Sequence, residues 1–359
     1  MKVVVSAGGT GGHIYPALAI IDLLKKIDKD LDVLYVGTHN RMEKDIIPKM
    51  GIKYETIEIY GFNKTKVIKN IKNVYLVSRA YHKCLKIMRD FKPDLVVGAG
   101  GYVTFPVLKA AQKLCIKTFI HEQNSFAGKT NVSLGKKASL IGVSFENSLK
   151  DFKGTKGKAF LMGNPCSKRA VEMKMIKKSE IGFDDKKPLV VAVAGSLGSE
   201  SINRTFKNVL TALKGKDYQF LYITGAKHYD KFMDGLILPE NVKVVPFFNN
   251  LPGLLKDTDV LISRSGASTM SEVIALNVPT IFIPSPYVAN NHQYYNALDL
   301  VNKKAALLIE EKNISKEKIF ESIDEILNNG GSIKNNLKNI ATVNTEDVFL
   351  NEVRKLLNE

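Results

Sequence analysis

One phrase is written twice in this chain, and it restricts the possible folds more than any other feature. The apolar run Val3-Val4-Val5 enters the turn Ser6-Ala7-Gly8-Gly9-Thr10-Gly11-Gly12, and a helical pattern follows. At Pro188 the phrase restarts: Leu189-Val190-Val191-Ala192-Val193 enters Ala194-Gly195-Ser196-Leu197-Gly198-Ser199, again followed by a helical pattern. Short continuous apolar runs alternating with helices predict parallel sheets covered on both faces. A chain of 359 residues has room for two such sheets. The fold class is therefore α/β, with two Rossmann-like domains whose parallel sheets face each other across a cleft.

In the first half, strands are expected near 2–6, 33–36, 53–59, 94–98, 117–121, 139–144 and 158–162. Helices are expected over 16–28, 41–49, 66–90, 105–114 and 127–135, with Pro16 opening the first. The stretch MGNPCSKR breaks the pattern, and a lysine-rich polar segment runs on to Lys187. Later strands fall near 218–223, 242–245, 258–262, 279–283 and 305–309. The predicted domains are 1–163 and 164–341, with a last helix in 342–359 returning to the first domain.

Glycine turns between a strand and a helix expose backbone N–H groups where an anion can sit. Neither turn is a dinucleotide fingerprint, because the third glycine of G-x-G-x-x-G is missing, and neither carries the lysine of a Walker loop. Three other strand ends are rich in small polar residues. Arg264-Ser265-Gly266-Ala267-Ser268-Thr269-Met270-Ser271-Glu272 follows Val260-Leu261-Ile262, and Glu272 is placed to accept hydrogen bonds from a ribose diol. Asn290-Asn291-His292-Gln293-Tyr294-Tyr295-Asn296 offers amides suited to neutral sugar hydroxyls. His121-Glu122-Gln123-Asn124 would be costly to bury without partners and is expected at a ligand.

Taken together, GGTGGHIYP, GAGGYVTFP, HEQNSFAGKTN, MGNP, AGSLGSESIN, RSGASTMSE and NNHQYYNA resemble the MurG family, the UDP-N-acetylglucosamine transferases of bacterial peptidoglycan synthesis in glycosyltransferase family 28. The motifs occur in the family's order and span nearly the whole chain. The resemblance implies a GT-B fold with an acceptor and membrane domain first and a UDP-GlcNAc-binding domain second. It implies inverting transfer of GlcNAc from UDP to the 4-hydroxyl of lipid-linked MurNAc-pentapeptide (lipid I), giving a β1→4 bond and lipid II. By position, Thr10, Gly11, Gly12, Asn124, Ser167, Ser196, Phe248, Ala267, Ser268, Thr269, Met270, Ser271, Glu272 and Gln293 would bind the donor. Gly8, Gly9, Thr10, Gly11, Gly12 and His13 would hold the acceptor's diphosphate. His13 is the candidate general base, since an imidazole titrates near neutrality, and Glu122 is the second. The family often has an arginine soon after GNP, whereas Cys166-Ser167-Lys168-Arg169 stands here; either Lys168 or Arg169 can replace it. Two other readings share the loops: a GT-B transferase with another lipid acceptor such as diacylglycerol, and a non-catalytic sugar-nucleotide binder. The first need not carry HEQNSFAGKTN.

No cofactor and no essential divalent metal are expected. The D-x-D pairs at Asp28, Asp30 and Asp32 and at Asp257 and Asp259 precede strands, away from the ligand edge of a parallel sheet. The six histidines show no ligand spacing. The net charge of +16 points to a polyanionic partner. Nucleic acid is discounted, because no recognition motif or stacking platform accompanies the charge. Residues 63–92 instead hold nine basic side chains against the single acid Asp90, interleaved with apolar ones. Phe62, Lys64, Lys66, Lys69, Lys72, Tyr75 and Arg79 are expected to touch an anionic inner-leaflet surface. With no apolar run of spanning length, no signal-peptide pattern and only three scattered cysteines, the expectation is a peripheral protein on the cytoplasmic side of the membrane. Other cell-wall enzymes are partners by resemblance.

Overall fold

The computed structural model describes residues 1–61, 67–193, 195, 198–288, 291–340 and 343–358, with the side chains of 67–71 outside that description. The chain divides into two compact units, Met1–Cys166 with Val343–Glu359, and Ser167–Thr342.

Unit 1 is built on β1 (Lys2–Ser6), β2 (Asp32–Thr38), β3 (Lys53–Ile57), β4 (Leu95–Gly98), β5 (Lys117–Glu122), β6 (Leu140–Val143) and β7 (Lys158–Leu161). Their order is β3-β2-β1-β4-β5-β6-β7, and every pair is parallel. Strand alternation sends Val3 and Val5 to one face and Val4 to the other, and all three are fully buried. The Val3 face is covered by helix Gly11–Leu24, through Ile14, Leu18 and Ile21, and by helix Thr345–Leu357, through Phe349 and Val353. The C-terminal helix is fastened by the Phe349 ring against Phe119, 5.3 Å between centroids, and by Lys26–Glu346 and Lys158–Glu352 ion pairs. The Val4 face is covered by helices Val67–Phe91, Thr104–Lys113 and Lys129–Gly135.

The first helix begins at Gly11, not Pro16. Thr10 is extended, with φ −143° and ψ 159°, and the chain turns helical at once. Pro16 lies inside the helix, so the first turn consists of glycines and His13 rather than of residues after the proline.

Unit 2 carries β8 (Leu189–Val193), β9 (Gln219–Ile223), β10 (Val242–Val245), β11 (Val260–Ser263), β12 (Thr280–Phe282) and β13 (Leu307–Leu308) in the order β10-β9-β8-β11-β12-β13, again all parallel. Its core includes a Phe206–Tyr222 stack at 4.7 Å, and Ile319, Ile323 and Ile326 of helix Lys316–Lys338 are buried.

Each strand order reverses once, between β1 and β4 in unit 1 and between β8 and β11 in unit 2. Connections leave such a switch point in opposite directions and open a crevice at the strands' carboxyl ends. Both repeated glycine turns are at these positions.

Candidate active site

In unit 1 the turn after β1 and the turn after β4 interlock. Gly8 N–H donates to Gly100 O at 3.2 Å. His13, in the first turn of helix Gly11–Leu24, places Nδ1 3.0 Å from Gly8 O. A carbonyl only accepts, so Nδ1 carries the proton, and in the neutral ring Nε2 is the accepting nitrogen. Gly100 has φ +99°, and a Cβ there would come within 2.6 Å of His13 Cδ2. The second glycine pair thus makes room for the imidazole.

The expected diphosphate cradle is smaller than the sequence implied. Gly8 N–H is bound to Gly100 O, Gly9 N–H donates to Glu43 Oε2 at 3.1 Å, and His13 N–H returns to Thr10 O at 3.1 Å. Those three amides therefore cannot serve an anion. Gly11 and Gly12, the first two helical residues, have no intrahelical acceptor by construction, and no acid stands in that turn.

The stretch after β5 also differs from expectation. His121 and Gln123 bond to each other, and Glu122 is bound by the loop that follows it. His121 is fully buried, and burial pushes its pKa down to about 4. Its Nε2 donates to Gly163 O at 3.1 Å, and its Nδ1 accepts from Gln123 Nε2 at 3.0 Å. The Glu122 carboxylate accepts from Asn124 N, Asn124 Nδ2, Gly128 N and Asn131 Nδ2, at 2.8–3.1 Å. With four donors and 2% exposure, Glu122 is a brace for the 124–131 loop and is poorly suited to take a substrate proton. Asn124 keeps a partly exposed edge.

In unit 2, helix Ala267–Leu276 starts directly after β11 with Gly266 as its cap and no acid in its first turn. Helical phase sorts the expected donor residues. Met270 and Val273 are fully buried in the core, so at Met270 only the backbone is left for a ligand. Ser271 donates to Ala267 O at 2.9 Å within its own helix. Ala267 is nearly buried, while Ser268, Thr269 and Glu272 remain partly open. Glu272 retains some surface, yet protein atoms surround its carboxyl, and that desolvation pushes its pKa up to about 7; Arg169 opposes the shift.

The two basic residues after GNP have different surroundings. In helix Cys166–Glu172, Lys168 pairs with Glu172 at 3.6 Å, whereas Arg169 acts on Glu272. Arg169 Nη1 and Ser268 Oγ are both buried and have no hydrogen-bond partner among the described residues. A buried, unpartnered cationic donor and an unpartnered hydroxyl at an uncapped helix start are the kinds of group that receive a phosphate. Ser167 is partly exposed in the same short helix.

Arg264, by contrast, is structural. It is buried, with Nη1 on Ile283 O at 3.0 Å and on Glu311 at 2.7 Å, and Nη2 on Ser199 Oγ at 3.1 Å. It ties the end of the glycine turn to β11. Gln293 Oε1 accepts from Ser285 N–H at 2.8 Å, which fixes the orientation of the amide. Phe248 is partly exposed and Phe247 more so. Asn296 is buried and donates to Ser265 O at 3.3 Å. Ser196 lies outside the described residues, as do Asn290, Phe62, Lys64 and Lys66 and the side chain of Lys69.

The remaining expectations concern metal and membrane. Among the described residues, no three potential ligands gather to hold a metal ion. Asp28 pairs with the N-terminal ammonium, Asp32 with Lys53, and Asp259 with Lys178. On helix Val67–Phe91, Lys72, Tyr75 and Arg79 are exposed, while Leu76 and Ala80 are buried. Val74 and Tyr75 are 60% and 67% exposed, high for apolar side chains. A groove of about 530 Å³ runs beside them, floored by Val77, Tyr81, Phe105 and Pro106 and rimmed by Lys109, Lys113 and Lys137. Among the described residues no helix is long and apolar enough to cross a membrane.

Two all-parallel Rossmann-like sheets, each with a glycine turn at its switch point, give the chain the GT-B architecture. Residues 3–143 match the glycosyltransferase family 28 N-terminal domain, and residues 189–351 match its C-terminal domain. The chain belongs to glycosyltransferase family 28. It is 44% identical over 334 residues to the UDP-N-acetylglucosamine--N-acetylmuramyl-(pentapeptide) pyrophosphoryl-undecaprenol N-acetylglucosamine transferase of Halalkalibacterium halodurans, covering 91% of each chain. The like-named protein of Caldanaerobacter subterraneus is 42% identical over 333 residues, with 91% of each covered. The crystal structure of Acinetobacter baumannii MurG superposes with a TM-score of 0.76 at 25% identity, covering 99% of both chains.

Proposed function

We infer that this chain is the hexosyltransferase that moves GlcNAc from UDP-GlcNAc to lipid I in peptidoglycan synthesis. Relatives at 40–44% identity over more than nine-tenths of the chain bear that activity in their names. The observation that carries the chemical part is the His13 imidazole, held by the Gly8 carbonyl in the tautomer a general base requires.

In the proposed reaction, the 4-hydroxyl oxygen of MurNAc attacks C1 of GlcNAc from the face opposite UDP. The hydroxyl proton passes to His13 Nε2 as the new C1–O bond forms. The bond from C1 to the diphosphate breaks, and its electron pair leaves with UDP. Inversion and a β1→4 linkage follow from this single displacement. Unit 2 holds the donor: Arg169, Ser268 Oγ and the amides opening helix Ala267–Leu276 receive the diphosphate, and the Glu272 carboxylate receives the ribose diol. These groups stabilise the leaving charge without a metal. Gly11 and Gly12 offer the acceptor's diphosphate two amides. Lys72, Tyr75 and Arg79, with the groove beside them, rest on an anionic membrane surface at the cytoplasmic side, where a lipid-borne acceptor is presented.

The test is transfer of labelled GlcNAc from UDP-GlcNAc to a synthetic lipid I analogue in the presence of EDTA. A β1→4 product formed at an undiminished rate is expected. Hydrolysis alone would contradict the acceptor, and abolition by EDTA would contradict the metal-free mechanism.

A further inference from the structure

Glu43 has no place in the chemistry described so far, yet among the described residues it is the most completely enclosed acid of unit 1. Its exposure is 0%, and three donors converge on it: Thr38 N–H at 3.1 Å and Thr38 Oγ at 2.7 Å on Oε1, and Gly9 N–H at 3.1 Å on Oε2. Donors alone around both oxygens describe the ionised group, which only accepts. Burying a carboxylate is costly, and the chain leaves room for this one: a Cβ on Gly8 would lie 2.4 Å from Glu43 Oε1.

The Gly9 N–H that Glu43 binds and the Gly8 carbonyl that His13 binds belong to one peptide group. We propose that Glu43 is a positioning residue for His13, acting through the Gly8–Gly9 peptide. A carboxylate drawing on the N–H side of an amide enriches the carbonyl oxygen on the other side, so Gly8 O becomes a stronger acceptor for Nδ1–H. The imidazole is thereby fixed in orientation and tautomer, and the imidazolium formed when Nε2 takes a proton is stabilised. The arrangement corresponds to the acid behind the histidine in a serine-protease triad, with a peptide group interposed.

The titratable groups described around Glu43 leave this reading intact. Tyr35 donates to Ala7 O at 2.9 Å and Tyr54 to Thr38 O at 2.6 Å. Burial first, and the Glu43 charge second, push both phenols above their usual range, so they stay neutral. Asp45, on Glu43's own helix, acts on Tyr54. The ring of His13 lies against Gly100, which carries no charge.

This inference rests on His13 being the base, and the experiment separates the two. In ¹⁵N-labelled protein, the His13 ring nitrogens should report Nδ1–H as the neutral tautomer, and Glu43→Gln should lower the imidazole pKa by about one unit. In the same variant the acidic limb of the kcat profile should move to lower pH by the same amount, with the KM for UDP-GlcNAc unchanged. An Nε2–H tautomer in the wild-type protein overturns the relay, whether or not the variant folds. So does a His13 pKa unmoved in folded Glu43→Gln. If His13 titrates as expected while His13→Ala keeps full turnover, the relay stands and the catalytic assignment falls.

Discussion

The two switch points start from the same written phrase and are finished with opposite charges. In unit 1 the turn is braced by an acid: Glu43 takes Gly9 N–H, Glu122 takes four donors from the loop after β5, and an imidazole stands on top. In unit 2 the turn is braced by a base: Arg264 holds Ser199 and Glu311, and Arg169 presents a second, unsatisfied guanidinium nitrogen beside an uncapped helix. Strand order and backbone open a crevice at both ends, and in the proposed reaction the bracing charge decides which ligand each takes. On that proposal unit 1 takes a neutral hydroxyl that must lose a proton, and unit 2 takes a group that leaves as an anion.

The contrast can be broken in several ways. His13→Ala should cut kcat by about 10²–10⁴-fold, the usual scale for a lost general base, with UDP affinity within about twofold of wild type. Steady-state kinetics with a titration calorimeter would show both. Arg169→Ala should weaken UDP by about 10–100-fold, the loss expected of a charged hydrogen-bond donor, while Lys168→Ala changes it less than about twofold. Equal effects would undo the assignment of Arg169 over Lys168.

A pH series sharpens the same comparison. Glu272 is pushed up to about 7 by burial, so it passes from mostly charged at pH 8 to mostly neutral at pH 6. If the carboxylate receives the ribose diol, UDP affinity should fall about tenfold over that interval, and Glu272→Gln should bind with a flat profile. The raised pKa also means that the neutral acid favours the fold. Its contribution is complete below the ordinary range near 4.5 and is lost as pH rises through 7. The smallest effect is a control remote from both turns. Gly331 stands inside helix Lys316–Lys338, with nothing within 4 Å of where a Cβ would go. Gly331→Ala should raise stability by about 0.5–1 kcal/mol in urea melts and leave turnover alone.

The architecture was legible because parallel strands buried on both faces must be written as apolar runs, and runs such as Val3-Val4-Val5 are hard to mistake. The site was legible as a set of loops, less so as a set of contacts. Glu43 is followed by Lys44 and Asp45 and reads as one acid on a solvated helix; only β2 beside β1 brings it under Gly9. His121 to Gln123 read as ligand-facing because buried polar groups need partners, and the partners proved to be one another, Asn131 and the Gly163 carbonyl. Lys168 and Arg169 are adjacent, so the roughly 100° step of a helix separates them, and sequence carries no absolute phase for a short helix. The inward side chain of Met270 was hidden for the same reason, since it shares that face with Val273.

The division of labour is tested most directly by hydrogen–deuterium exchange with UDP alone. Bound UDP should slow exchange in 166–172 and 264–273 and leave 7–14 at its free rate. Protection confined to 7–14 would place the nucleotide on the acid-braced turn and contradict the account.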